Sequence, residues 1–160
     1  MGTIIVYGTK YGCTEKIAKL IEEKITGQVE LCNLKGKSKI ELKKYDNIII
    51  GGSIYMGRIR KKVSRFCDEN LKLINDKKIG LFISCMTEGE EAGKELRENF
   101  PKEIYEKAAA KGVFGGIFDF DKLNFMEKLI VKKVVGVKES QSNIFEENID
   151  KFVSEMDLSK

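Results

Sequence analysis

The chain is 160 residues long, 42% hydrophobic and 34% charged, with a formal net charge of +4, one proline and neither histidine nor tryptophan. Length and composition suit one soluble domain spanning 1–160, large enough to bury about two-thirds of its unfolded surface. Without histidine there is no imidazole for a catalytic triad, a zinc hydrolase or a proton shuttle, and the mild positive balance falls short of a nucleic-acid binder.

Taken in chain order, the first β-type run is residues 3–7, and it feeds a helical pattern with Ile17, Leu20, Ile21 and Ile25 on one face. Further runs cover 29–33 and 47–50. Val63, Phe66, Cys67, Leu71 and Ile74 then repeat the helical spacing ahead of a fourth run, 78–84. A helical stretch is expected on each side of Pro101, which interrupts the pattern because it has no amide proton. The fifth run is 113–118, and Ile149, Phe152, Val153 and Met156 mark a last amphipathic helix. Runs such as "IIVY", "NIII" and "IGLFI" are continuously apolar, as strands covered on both faces need to be. Their alternation with helices points to an α/β fold, an open, doubly wound, parallel sheet of five strands. Such sheets bind ligands beyond the carboxyl ends of their strands, so the loops after the first, third and fourth strands matter most.

Cys13, Cys32, Cys67 and Cys85 form no C-x-x-C pair, which excludes a thioredoxin-type dithiol and the common zinc spacings. The first residues carry no secretion signal, and no apolar stretch reaches the eighteen or so residues that a membrane span needs. Four reduced thiols in a cytoplasmic protein are expected.

The first loop, "GTKYGCT" at residues 8–14, is either a tight strand-to-helix connection or a phosphate site. Amides at the start of a helix lack intrahelical acceptors, and the helix dipole favours an anion there. Thr9 and Thr14 add hydroxyls, and Gly12 allows close approach. Neither a G-x-x-x-x-G-K-S/T loop nor a G-x-G-x-x-G fingerprint is present. The second loop, "GGSIYMGR" at 51–58, surrounds Tyr55 and Met56 with glycines. It offers apolar side chains for a flat ring, a Ser53 hydroxyl, and a Gly57 suited to positive φ. The third loop, "SCMTEGE" at 84–90, carries Cys85, Met86, Thr87, Glu88 and Gly89.

Thr9-Lys10-Tyr11-Gly12-Cys13-Thr14 fits the pattern Ser/Thr-x-Thr/Tyr/Asn-Gly-x-Thr and resembles the FMN-phosphate loop of flavodoxins. The resemblance implies a 2-1-3-4-5 strand order with FMN as cofactor. It implies contacts from Thr9, Lys10, Tyr11, Gly12, Cys13 and Thr14 to the phosphate. Ser53, Ile54, Tyr55, Met56 and Gly57 on one side, and Cys85, Met86, Thr87 and Gly89 on the other, would hold the ring. The chemistry implied is electron transfer to a redox partner protein, with no catalytic side chain. The Gly57 peptide is expected to move with the redox state of the flavin, and a carboxylate such as Glu88 beside the ring to lower its potential.

The stretches "YDNIIIGGSIYMGRIRKKVSRF" and "GGIFDFDKLNFMEKLIVKKV" are similar to the quinone-linked protoporphyrinogen dehydrogenases, a branch of the same family. That alternative implies a quinone acceptor and an anionic tetrapyrrole substrate. Arg58, Lys62 and Arg65, expected on one face of the second helix, would pair with its propionates. Residues 121–137, from Asp121 to Val137, interleave Phe125, Met126, Leu129 and Ile130 with lysines. They read either as a helix packed on the sheet or as a contact with the inner face of the membrane. The stretch after the fourth strand, "TEGEEAGKELRENFPKE", is shorter and more acidic than that branch carries.

Overall fold

A computed structural model describes residues 2–36, 39–85, 87–118 and 141–160. Strand β1 (Gly2–Gly8) leads into helix α1 (Cys13–Lys24), β2 (Gln28–Asn33) and a short 3-10 turn at Leu42–Lys44. There follow β3 (Asn47–Tyr55), β4 (Arg58–Ile59), α2 (Lys61–Glu69), α3 (Leu71–Asn75) and β5 (Lys78–Ser84). After α4 (Gly89–Glu98), α5 (Lys102–Lys107) and β6 (Ala110–Val113) come β7 (Gly115–Phe118), β8 (Gln141–Ile144) and α6 (Glu146–Glu155).

The main sheet has the order β2-β1-β3-β5-β6, with every neighbouring pair parallel. With the short β4 set aside, this is the expected 2-1-3-4-5 order. Alternation within the apolar runs splits the core over the two faces. Ile4, Val6, Ile48, Ile50, Leu81 and Ile83 meet Val63, Phe66, Ile74, Leu96 and Ile104 on one side. Ile5, Tyr7, Ile49 and Phe82 meet Ile17, Ile21, Ile149, Phe152 and Met156 on the other. Each buried aliphatic or aromatic side chain contributes about 1.5–3 kcal/mol of transfer free energy, so a sheet needing cover on both faces recruits helices from both sides.

Three elements depart from the sequence reading. The third strand does not stop at residue 50 but continues to Tyr55, because Gly51 and Gly52 are strand residues. A Cβ at Gly51 would come within 2.2 Å of the Phe82 ring, and one at Gly52 within 2.8 Å of Ile59. Both glycines therefore serve close packing rather than a bendable loop. The fifth parallel strand is Ala110–Val113, not 113–118. The chain turns at Gly115 (φ 74°), and β7 leaves the sheet to pair antiparallel with β8. Finally, the helical pattern from Val63 to Ile74 is broken at Asn70, whose side-chain amide donates to the Phe66 carbonyl (2.9 Å) and ends α2. The helices on either side of Pro101 and the buried Ile149, Phe152, Val153 and Met156 match the expectation. Residues 121–137 lie outside the described residues.

Candidate functional site

Adjacent strands bring the three loops together. Gly8 is level with Gly52 across β1–β3, and Ser53 with Ser84 across β3–β5. With strands about 4.8 Å apart, the ends of β1, β3 and β5 present their loops side by side on one edge of the sheet.

In the first loop the backbone takes a left-handed turn at Gly12 (φ 90°), the residue that caps α1. A side chain there would be strained, yet nothing lies within 4 Å of where its Cβ would be. Glycine is thus required by conformation, and its outer face is open to a ligand. The Gly12 amide donates to Thr9 Oγ1 (3.0 Å), which fixes the loop and leaves the threonine proton for another acceptor. Lys10 lies over the Tyr11 ring, 5.1 Å from its centroid. Thr14 is fully buried, and its hydroxyl pairs with that of buried Ser84 at 3.2 Å. That bond ties the start of α1 to the end of β5. Tyr7, beneath the loop, has its phenol pushed up to about 12 by burial first and by the Glu15 charge second.

The second loop is a two-residue hairpin turn between β3 and β4, with Ile54 opposite Ile59 and Tyr55 opposite Arg58. Met56 (φ 53°) and Gly57 (φ 76°) occupy its centre, so positive φ at Gly57 is as expected. Positive φ at both central residues matches the strand twist, and a methionine there is strained. The turn lifts Tyr55 and Met56 into solvent, 42% and 60% exposed, the large hydrophobics most conspicuously unburied among the described residues. An apolar pair held out at a strand end costs hydration free energy and suits a ligand surface.

In the third loop, the Cys85 amide donates to the Gly115 carbonyl (3.0 Å), so β7 pins the loop. The thiol of Cys85 is buried, and that burial pushes its pKa up. Gly89 opens α4 at φ 64°, and Met86 lies outside the described residues. Beyond this loop a crevice of about 530 Å³ is lined by Glu88, Glu146 and Glu147. Three carboxylates make it a poor home for a phosphate.

Arg58, Lys62 and Arg65 do not share one helix face, because Arg58 belongs to β4 and α2 begins only at Lys61. All three are exposed, and none forms an ion pair among the described residues. Arg60, Asn99 and Glu95 gave no sequence signal. Arg60 packs its stem over Gly8, with Cβ 3.3 Å from where a Gly8 Cβ would be. Tertiary packing alone brings these residues to the loops.

A profile of the flavodoxin domain matches residues 4–144. The chain belongs to the flavodoxin family. A flavodoxin of Clostridium saccharobutylicum is 34% identical over 84 residues, covering 50% of this chain and 52% of that protein, so the match spans about half the length of that relative. Among solved structures, the Fusobacterium nucleatum flavodoxin bound to flavin mononucleotide superposes with a TM-score of 0.53 at 17% identity, covering 98% of this chain and 96% of that one. Oxidised flavodoxin 1 of Bacillus cereus gives 0.54 at 16% identity, with 98% and 97% covered. These likenesses bear on the fold. Among the described residues no helix is long and apolar enough to cross a membrane.

Proposed function

We propose that this flavodoxin-family protein binds FMN at the ends of β1, β3 and β5 and passes electrons between redox partner proteins in the cytoplasm. One observation carries the reading: the open left-handed turn at Gly12 adjoins a strand whose hairpin holds Tyr55 and Met56 in solvent. A dianionic ester fits the first feature and a flat apolar ring fits the second.

The residues divide the work. Amides at the start of α1 and the Thr9 hydroxyl hold the phosphate, supported by the helix dipole. Tyr55 and Met56 cover one side of the ring, while Cys85, Thr87 and Gly89 border the other. Thr14 ties the loop to the end of β5 through the Ser84 hydroxyl. FMN supplies the electron-transfer chemistry, and the protein sets its orientation and solvent access. Purified protein should be yellow and should release FMN on denaturation. Colourless protein that also fails to take up added FMN overturns the reading.

A quinone-linked protoporphyrinogen dehydrogenase is the second reading, favoured by Arg58, Lys62 and Arg65 beside the hairpin. Lys61 and Lys62 stand in the first turn of α2, which contains no acidic residue. The helix dipole opposes cations there by about 0.3–1 kcal/mol each, a cost that pairing with propionates would offset. Porphyrin fluorescence appearing anaerobically with protoporphyrinogen and a menaquinone analogue supports this reading. Fluorescence no higher than in the protein-free control removes it.

A further inference from the structure

The hairpin after β3 and the loop after β5 are both gripped by one turn of α4. Asn99, which ends that helix, accepts from the Ile59 amide (2.9 Å) through its side-chain oxygen. Its side-chain nitrogen donates to the Gly57 carbonyl (3.0 Å) and to the Glu95 carbonyl (2.7 Å). Four residues earlier, the Glu95 carboxylate accepts from the Thr87 hydroxyl (2.7 Å), and the Thr87 carbonyl accepts from the Cys85 thiol (3.5 Å). Residues four apart lie on the same helix face. One side chain therefore holds the second loop, and its neighbour one turn back holds the third.

We propose that Glu95 and Asn99 are positioning residues that fix the gap between the two loops, and with it the fit of a ring between them; this rests on the FMN reading. The side-chain types match the task. A planar amide can accept one backbone N–H while donating to two backbone carbonyls, whereas a carboxylate at 99 would face two carbonyl oxygens with nothing to donate. The hairpin needs such an anchor. Its β4 strand is only two residues long, its turn carries a strained Met56, and isolated two-stranded hairpins are marginal in water. A hairpin already held in place loses less freedom when a ligand arrives, and affinity rises accordingly.

The test measures FMN affinity by fluorescence quenching, and midpoint potential by redox titration, on protein loaded with FMN. Asn99→Ala removes three hydrogen bonds and should weaken FMN about five- to tenfold and shift the potential. Asn99→Asp should be at least as weak. Glu95→Ala and Glu95→Gln both remove the charge, but only the glutamine keeps an acceptor for Thr87. Glu95→Gln should therefore bind several-fold more tightly than Glu95→Ala, a difference that isolates the hydrogen bond. Affinities and potentials within twofold and experimental error of the parent in Asn99→Ala and Asn99→Asp overturn the proposal, as does Glu95→Gln behaving like Glu95→Ala. If Asn99→Ala does not fold, Asn99→Asp and the Glu95 pair decide the matter on the same criteria. Parent protein that takes up no FMN refutes the cofactor reading itself, whereas FMN binding unaltered by the variants refutes only the role of α4.

Discussion

Gly51→Ala tests the packing that brings β3 and β5 close enough to present two loops together. Gly51 faces Phe82 across the parallel β3–β5 pair. A new Cβ would come within 2.2 Å of two atoms of that ring, more than an ångström inside ordinary contact. The ring has no easy retreat. Phe82 is fully buried, with the Phe114 ring stacked 5.4 Å away and the Phe152 ring edge-on at 6.4 Å. Overpacking of this kind costs about 1–3 kcal/mol, and a boxed-in ring belongs at the upper end. Stiffening the unfolded chain by Gly→Ala returns about 0.4–1 kcal/mol. The net loss is about 2 kcal/mol, which lowers the melting temperature of a chain this size by about 4–8 °C. Thermal and urea unfolding followed by far-UV circular dichroism would measure it. Adding Phe82→Leu should recover about 1 kcal/mol through direct coupling of the two sites. A Gly51→Ala protein that melts at or above the parent temperature would mean that the ring does not cover Gly51, and the argument from close approach fails.

Other predictions concern the loops and the response to alkali. Thr9→Ala removes the acceptor of the Gly12 amide and a phosphate donor, so FMN affinity should fall about tenfold; equal affinity in a quenching titration counts against the phosphate loop. Met56→Asn should raise stability by about 0.5–1 kcal/mol, because asparagine tolerates the left-handed conformation better, and should weaken FMN by removing apolar cover. Urea midpoints and FMN titrations read the two effects separately. Tyr7 is raised to about 12 chiefly by burial, and Tyr45 to about 12 chiefly by its hydrogen bond to Glu30. Each raised value favours the neutral phenol in the folded state, so this stability is intact below about pH 10, where unfolded tyrosine titrates, and is lost between about 10 and 12. Stability measured against pH should therefore decline over that window, and less steeply in Tyr7→Phe.

The sheet was legible because its strands are buried on both faces, and unbroken apolar runs such as "NIII" have few other uses. Helix faces were legible for the same reason, down to the three buried positions of α6 and the buried Met156 that caps it. Ends of elements were not. Gly51 and Gly52 looked like a loop because sequence does not reveal that Phe82 and Ile59 press against them. The sequence pattern of the fifth strand misleads by three residues because "VFGGIF" is more β-like than "AKGV", although only the latter pairs with β5. Within the candidate site, the glycine-rich composition of the second loop was enough to expect positive φ at Gly57, as observed. Pairings such as Thr14 with Ser84, or Asn99 with Gly57 and Ile59, span 70 residues and about 40 residues, beyond the reach of local pattern.

The central claim is that the loop of Thr9 to Thr14 holds a phosphate ester while Tyr55 and Met56 cover the attached ring. Calorimetric titration of the FMN-free protein with FMN, and separately with riboflavin, tests it most directly. Charge-assisted hydrogen bonds contribute about 1.5–3 kcal/mol each, so FMN should bind one to one and at least about 100-fold more tightly than riboflavin. No saturable FMN binding, or equal affinity for the two, would contradict the account.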